Sequence, residues 1–459
     1  MLARLSCTRS APGLLAAVLA LSIGATPAAA QTPRTGDGGN AAAEGAVGKD
    51  LNQYRSRSVI LTTDLDEEKA EALLIELETM LDLVGKFFGA PLRKPIPLLV
   101  WKDTAKWQGV PLPPEAQAKM REGGGITLGQ TMGLTNVYTG QTRRTDSMAT
   151  AYASSKRGTP LHESVHAYCM LTFGATGPVW FGEGLAELGS YFRKGDMSVR
   201  VSRGVMQHLQ TAERQTLREI LDPNAITGDS WENYAWRWAL AHVLAYNPNY
   251  RDRYRPLGVS LMNDGPLTFE SVYGSMAPEI TFEYNFFLDV LEQGVRPDLI
   301  AWDWKGRYRA IRKGRRATAR LQADAGWQPG AIEVKEGTVV GYEADGEWSV
   351  GPDKPRPTHV TVLDDDYEPP VEDETAATEP PPPVSADGGE DGRGKLVGAI
   401  FDPVEYTLSD EFELGASGEF TAPSAGQLVL RAKDKWGQLG DNEGRMTVKL
   451  VGVKDAPED

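Results

Sequence analysis

The sequence predicts an α+β domain followed by an all-β sandwich domain. Strand-like runs and one long amphipathic segment alternate up to about residue 153, and helical spacing dominates from 159 to 312. Strands first and helices later is an order typical of α+β folds. After residue 313 the chain shows short alternating runs separated by Gly, Asp and Pro, which is typical of a sandwich. We therefore expect one domain at residues 58–312 and a second at residues 313–459.

The composition supports folded domains and excludes one class of partner. The chain has 459 residues, of which 41% are hydrophobic and 24% charged, so it carries enough apolar surface for a core. Its net charge of −15 argues against nucleic-acid binding, which needs clustered Lys and Arg.

The N-terminal 30 residues have the pattern of a bacterial signal peptide. Arg4 and Arg9 supply a basic start, an apolar run follows, and small residues at 28–30 precede Gln31. The run is short for a membrane span, although an uncleaved anchor is the alternative. We expect a secreted or periplasmic protein without a stable membrane anchor. Cys7 lies within this signal, so Cys169 would have no intrachain disulfide partner.

The elements of the first domain follow in order along the chain. Residues 31–57 are rich in Gly, Ala and polar residues and are predicted to be a flexible linker. "SVILTT" at 58–63 and "IPLLVW" at 96–101 are predicted strands, and residues 66–89 form a predicted amphipathic helix that ends at Gly89. "TNVYTG" at 135–140 and "MATAYAS" at 148–154 are further strand candidates.

The segment "TPLHESVHAYCMLTFG" at 159–174 is a predicted helix that carries a metal-binding pattern. Thr159 can cap its start, and Gly174 can end it. His162 and His166 are four residues apart, so their imidazoles project side by side, at a spacing that suits one Zn²⁺. Glu163 lies about 100° round the helix and can act on a water molecule without becoming a ligand. The alternative is an amphipathic helix with two merely polar histidines.

A third ligand is expected from "PVWFGEGLAELGSYF" at residues 178–192. We favour Glu183, because it opens the second helix, with Glu187 as an outer carboxylate that fixes the tautomer of a ligand histidine. The reverse assignment stays open. So does a pair of surface carboxylates favoured by the helix dipole.

HExxH followed by "WFGEGLAE" resembles the gluzincin metallopeptidases of the peptidase-MA-like type, over roughly residues 58–300. The resemblance implies His162, His166 and Glu183 as zinc ligands and Glu163 as general base. It also implies a thermolysin-like fold, a peptide or protein substrate, and an antiparallel edge strand that pairs with that peptide. "MATAYAS" is our candidate for this strand. Gly182 stands where relatives often carry Asn.

The residue that stabilises the oxyanion has several candidates. Tyr234 is favoured because related proteins often carry a Tyr in a similar downstream helix. Tyr168, His208 and His242 are the alternatives. Cys169 is expected to be a buried thiol and not a fourth zinc ligand, since a fourth protein ligand would occupy the coordination position that a catalytic zinc keeps open.

The second domain resembles the bacterial galactophilic lectins over residues 315–459, apart from an acidic insert. The resemblance implies Ca²⁺ and carbohydrate binding through Asp434, Asp441 and Asn442, whose oxygens suit a hard cation. A turn stabilised by the same side chains is the alternative. The tryptophans could stack on a sugar or lie in the core; they are Trp327, Trp348 and Trp436.

The insert at residues 364–392 has eleven acidic residues, no basic ones and the run "EPPPPV". Such a segment cannot bury enough apolar area to fold, so we expect it to be disordered and solvated. Binding of cations or of a basic partner is the functional alternative.

Two functions follow from these patterns. The first is an exported zinc-dependent metallopeptidase that uses zinc-activated water and Glu163. The second is a carbohydrate- or surface-binding protein with an idle zinc site. The presence of Glu163 favours the first, because an idle site needs no base beside the metal.

Overall fold

The computed structural model of the protein describes residues 51–135, 142–156, 158–351 and 382–456. The predicted signal peptide at 1–30 lies outside these residues, as does all but the end of the predicted linker. Among the helices in the described ranges, none has the length and apolar character needed to cross a membrane.

The first part of the chain combines strands and helices. Its elements are β1 (Asn52–Arg55), β2 (Val59–Thr63), α1 (Glu67–Phe88), β3 (Ile96–Trp101), α2 (Pro114–Glu122), β4 (Gly125–Thr135), β5 (Thr142–Ser154), α3 (Thr159–Phe173), α4 (Val179–Ser190), α5 (Arg203–Thr211), α6 (Leu217–Ile220), α7 (Trp231–Tyr246), α8 (Arg251–Met262), α9 (Phe269–Tyr273) and α10 (Ala277–Asp289).

The strands form one mixed sheet with the order β1-β2-β3-β5-β4 within the described residues. β3 is parallel to both of its neighbours, and β4 runs antiparallel to β5. α1 connects β2 to β3. It begins where the Asp66 carboxylate accepts a hydrogen bond from Lys69 N at 3.0 Å, and it ends at Gly89, whose φ of 67° suits glycine.

The sheet corrects two of the expectations from sequence. β1 lies inside the predicted linker at 31–57, because Asn52–Arg55 complete the sheet by pairing with β2. "MATAYAS" belongs to β5, which lies between β3 and β4 and is therefore not an edge strand. The edge next to β5 is β4, whose three glycines hide its strand character in the sequence. Residues 136–140 of "TNVYTG" lie outside the described residues.

The ends of α3 differ slightly from the prediction. Gly158 occupies the N-cap position with φ 68°, and Thr159 is the first helical residue, so Thr159 is not the cap. Glycine is required at 158 because a Cβ there would lie 2.7 Å from Ser190 Oγ at the end of α4. Gly174 ends the helix in the left-handed conformation, as the sequence predicts.

The second part of the chain consists of two packed sheets. Its strands are β6 (Arg309–Ala310), β7 (Arg316–Gln322), β8 (Gln328–Val334), β9 (Val339–Ser349), β10 (Leu396–Asp402), β11 (Thr407–Leu408), β12 (Phe412–Glu413), β13 (Ser417–Thr421), β14 (Gly426–Ala432) and β15 (Glu443–Lys454). Within the described residues, one sheet has the order β11-β10-β14-β8-β6 with β12 also on β10, and the other β13-β9-β15-β7. Mixed α/β content followed by a β-sandwich agrees with the predicted fold class.

Two predicted boundaries shift in the sandwich. β6 pairs with β8 although it precedes residue 313. The end of the predicted disordered insert is ordered, since Val384 pairs with Trp348 and Asp387 pairs with Lys395. The many acidic residues of the insert led to a prediction of disorder, but its Val384 and Ala386 pack in the sandwich core. Most of the rest of the insert lies outside the described residues, as does the alternating run "THVTVLD" at 358–364.

The sandwich has its own core, but one face of its β10 sheet joins the hydrophobic cluster of the helices. β10 is buried on both faces, and its Val397, Ala399 and Phe401 belong to the same cluster as the residues of α10. The Phe401 ring lies 4.6 Å from Trp302 and 4.9 Å from Phe282 between ring centres. The sandwich therefore packs directly on the helical part, through aromatic contacts.

Candidate metal centre

Helix α4 lies between α3 and α7, and two glycines make this close packing possible. A Cβ at Gly189 would lie 2.5 Å from Val165 of α3. A Cβ at Gly184 would lie 2.9 Å from both Ala241 Cβ and Arg237 O of α7. Any larger residue would push these helices apart, so the glycines of "GEGLAELG" set the distance between the side chains of α3 and α4.

The three predicted zinc ligands converge on one point. His162 Nε2 lies 3.1 Å from His166 Nε2, and Glu183 Oε2 lies 3.3 Å from each of these nitrogens. All three side chains are buried, with at most 9% of a residue exposed. A tetrahedral Zn²⁺ with ligands at about 2.0–2.1 Å has ligand atoms about 3.3–3.4 Å apart. The triangle fits such an ion, and it is the one such His/Cys/Asp/Glu group among the described residues.

The charges around this triangle also fit a cation. Glu163 and Glu183 are both buried, and Glu187 is half-buried beside His162. Burial opposes protonation of His162, but hydrogen bonds to Glu183 and Glu187 outweigh it and hold the pKa of His162 well above its usual range. Three acidic groups in so little space need a compensating positive charge, which a divalent ion supplies.

Glu187 lies where an outer carboxylate is expected. Its Oε1 is 2.9 Å from Nδ1 of His162, one turn after Glu183 on α4. With Nδ1 donating to this carboxylate, Nε2 of His162 is left as the nitrogen that can bind a metal. The geometry favours Glu183 as ligand and Glu187 as its support over the reverse assignment.

Glu163 is held against β4 by a residue that the sequence did not suggest. Thr127 Oγ1 donates to the Glu163 carboxylate at 2.8 Å and lies 2.9 Å from the Glu163 backbone carbonyl. A Cβ at Gly125 would lie 2.7 Å from Glu163 Oε1, so glycine lets the strand approach. Burial raises the pKa of Glu163, and the histidines and Thr127 oppose that shift. The alternation of "ITLGQTMGL" was the available signal for β4.

Tyr234 on α7 packs against the same site. Its ring stacks on His162 at 5.9 Å between centres, and Arg237 lies over the Tyr234 ring at 5.7 Å. Arg237 is buried and forms two hydrogen bonds of 2.8 Å with Asp229, which hold the start of α7 in place. Burial, followed by the charges of Glu183 and Asp229, raises the pKa of Tyr234, so its hydroxyl is a hydrogen-bond donor at neutral pH.

The other predicted oxyanion residues are engaged elsewhere. The Tyr168 hydroxyl donates to Ala90 O at 2.7 Å, and the ring of His208 packs between Trp231 and Trp236. His242 is buried among Trp238, Tyr246 and Phe287, and burial lowers its pKa to about 3. Burial raises the pKa of the Cys169 thiol to about 12, so it is unreactive.

The predicted calcium residues of the sandwich also lie together, but with an arginine among them. Asn442 Oδ1 accepts from Gly351 N at 3.1 Å, and a Cβ at Gly351 would lie 2.5 Å from Asp441 Oδ2. Arg393 Nε lies 3.0 Å from Oδ1 of the buried Asp434. Sequence spacing did not reveal Arg393, which enters from the end of the insert.

The tryptophans that could have stacked on a sugar are core residues. Trp348 is buried, and its indole N–H donates to Gly394 O at 2.6 Å. Trp327 is also buried, while Trp436 is half-buried and packs against Phe286 of α10. Arg431 lies over the Trp436 ring at 3.9 Å.

Comparison with known proteins gives little beyond this geometry. No protein-family model and no curated protein matches the chain. Among solved structures, part of the chain is similar to one described as "EclA N-terminal domain; PllA-like lectin". The similarity has 15% identity and a TM-score of 0.18, and covers 29% of this chain and 94% of that one. At these values it identifies neither the ligand nor the activity of this protein.

Proposed function

We propose that this protein is a zinc-dependent metallopeptidase. The observation that carries the proposal is the triangle of His162 Nε2, His166 Nε2 and Glu183 Oε2, with edges of 3.1–3.3 Å, beside the buried carboxylate of Glu163. Three protein ligands are typical of a catalytic zinc site, whereas a structural site has four. The rival function, a binding protein with an idle zinc site, gives no reason to bury a carboxylate beside the histidines.

Each side chain then has a role in peptide hydrolysis. Zinc, when bound, would supply Lewis acidity toward the scissile carbonyl and toward a water molecule. Glu163 would accept a proton from the attacking water and deliver it to the leaving nitrogen. Its burial supports the first of these steps, because a raised pKa makes the carboxylate a stronger base toward the water.

β4 is the strand best placed to hold an extended peptide. It forms the edge of the sheet, and its Gly125–Thr127 stretch lies against Glu163. An edge strand presents unpaired backbone N–H and C=O groups, which a peptide can use as an added strand. A peptide on this edge would pass directly beside the base.

Tyr234 is the proposed donor to the developing oxyanion. It stacks on a ligand histidine and keeps its proton at neutral pH. A neutral hydroxyl that turned toward the site could stabilise negative charge that appears on the carbonyl oxygen.

The motif resemblance supports two finer proposals. The HExxH and "WFGEGLAE" motifs favour a gluzincin with a thermolysin-like arrangement of residues 58–312. The signal-like pattern at 1–30 favours export, for which the test is a mature protein that begins at Gln31.

The test of the activity compares two purified proteins. The wild type is expected to contain about one zinc and to cut peptides in a proteome-derived library. Glu163→Gln should keep the zinc and lose about 10²- to 10⁴-fold in rate. Equal cutting by both proteins, or a wild type that does not take up zinc, would reject the proposal.

A further inference from the structure

Asp434 in the sandwich is a buried carboxylate with a second, unsatisfied oxygen. Its side chain has 0% of its surface exposed. Oδ1 accepts from Lys435 N at 2.8 Å, whereas Oδ2 has no hydrogen-bond partner within the described residues. A buried carboxylate in this state is unfavourable unless a positive charge lies next to it.

The groups around Asp434 are oxygen donors of the kind that bind hard cations. Asp441 and Asn442 interact with it, Asn442 Oδ1 accepts from Gly351 N at 3.1 Å, and a Cβ at Gly351 would lie 2.5 Å from Asp441 Oδ2. Two carboxylates, an amide oxygen and the Gly351 carbonyl are thus within one small volume. Calcium is bound by six to eight such oxygens. The cluster therefore has the chemistry of a cation site.

A cation is already present in this cluster. Arg393 places Nε 3.0 Å from Asp434 Oδ1, and its terminal nitrogen donates to the Gly351 carbonyl. The Arg393 side chain is 14% exposed, so this is an internal contact. Its guanidinium thus touches two of the oxygens that a bound ion would use.

We propose that Arg393 is the built-in cation of this site, so that the chain fills a latent calcium site with its own side chain. One guanidinium carries one positive charge, and it compensates the negative charge of the buried Asp434 carboxylate without any dissolved metal. The site then needs no calcium to fold, and binds calcium only when the guanidinium is removed.

The position of the loop explains why a permanent cation is useful. Residues 434–442 pack on the helical part, where Gly437 N donates to Glu292 Oε1 at 2.6 Å. A Cβ at Gly437 would collide with Gln293 O, so the contact is close. A cation supplied by the chain stabilises this loop at any calcium concentration. It thereby also maintains the contact between the sandwich and the helical part.

The experiment is a calcium titration of the full-length, zinc-loaded protein by calorimetry, together with melting curves. Wild type is expected to show no binding heat and no change in melting temperature up to about 10 mM CaCl₂, above the range of weak extracellular sites. Arg393→Gln should melt lower, bind about one calcium with a Kd of about 10⁻⁴–10⁻³ M, and regain melting temperature in calcium. Asp434→Asn in the same chain should abolish that response.

The matched control is Lys395→Gln, which removes a neighbouring cation that is paired with Glu413 at the surface. It should behave as the wild type toward calcium. The proposal is overturned if the wild type binds calcium in an Asp434-dependent way, or if a folded Arg393→Gln ignores calcium. If Arg393→Gln is unfolded with and without calcium, Arg393→Lys decides: a folded, calcium-silent protein supports the proposal, and an unfolded one rejects it.

Discussion

Oε1 of Glu187 lies 2.9 Å from Nδ1 of His162, the ring nitrogen that does not face Glu183. This contact fixes the orientation of the ring and directs Nε2 toward Glu183 and His166. It also connects the two helices that carry the ligands.

Glu187→Ala is expected to weaken zinc binding by about 10- to 100-fold, because His162 loses the acceptor that orients it. Zinc competition with a chromophoric chelator measures the change. Glu213→Ala, which removes an exposed carboxylate away from the site, is the control. Unchanged affinity in Glu187→Ala would show that the contact does not support the ligand.

Thr127→Val should slow peptide cleavage by about tenfold or more while zinc content stays constant, since a hydrogen bond to a charged group is worth about 1.5–3 kcal/mol. The Thr127 hydroxyl favours ionised Glu163, so its loss raises the pKa of that carboxyl further. The acid side of the pH profile of kcat/KM should therefore move to higher pH.

Thr127→Ser should restore both the rate and the profile. Thr131→Val removes another hydroxyl of β4, one that donates to Gly174 O at 2.8 Å, and should leave the profile in place. Identical profiles for Thr127→Val and wild type would contradict the proposed contact with the base.

Tyr234→Phe should lower kcat by about 10²-fold with little change in KM, as expected for a donor that acts on the transition state. Tyr168→Phe is the matched control, because that hydroxyl is bonded to Ala90 O instead. It should cost about 1 kcal/mol of stability and leave kcat unchanged. Equal kcat values for the two variants would remove Tyr234 from the mechanism.

Glu283 on α10 should make stability fall with rising pH. Burial, only partly opposed by hydrogen bonds from Asn249, Trp304, Trp302 and Asn247, raises the pKa of this carboxyl from 4.5 to about 7. Between these values the unfolded chain binds fewer protons than the folded one, so the free energy of unfolding decreases as pH rises. Glu283 alone should lower the free energy of unfolding by on the order of 3 kcal/mol between pH 4.5 and 7.

Denaturant unfolding at several pH values measures this slope. Glu283→Gln should be less stable at low pH, because its amide meets several donors, but its pH slope should be flatter. Glu213→Gln, which changes an exposed carboxyl outside this helix, should keep the wild-type slope. Parallel curves for wild type and Glu283→Gln would count against the raised pKa.

The metal-site geometry was predictable because it is local. A spacing of four positions, from His162 to His166 or from Glu183 to Glu187, places two side chains on one face of a helix whatever the rest of the fold does. The capping pattern of α1 was equally readable. Such features depend on helix geometry and little else.

Contacts across the sheet and between the two parts could not be read in this way. The sequence suggested "MATAYAS" of β5 as the edge strand, and only the pairing of β5 with β3 shows that β4 is the edge instead. Thr127 reaches Glu163 from 36 residues away, and Arg393 and Asp434 are separated in the chain by strands β10 to β14. These partners are set by tertiary packing, for which one sequence carries no periodic signal.

The shared aromatic core makes the two halves inseparable in practice. Ending the chain before β6 would remove the aromatic residues that pack on Phe282, Phe286 and Trp302. The half that carries the histidines would then expose an apolar patch to solvent. An expressed fragment of residues 58–308 should therefore aggregate and show no peptide cleavage. The C-terminal half therefore supports the fold of the part that carries the histidines and is not an independent module.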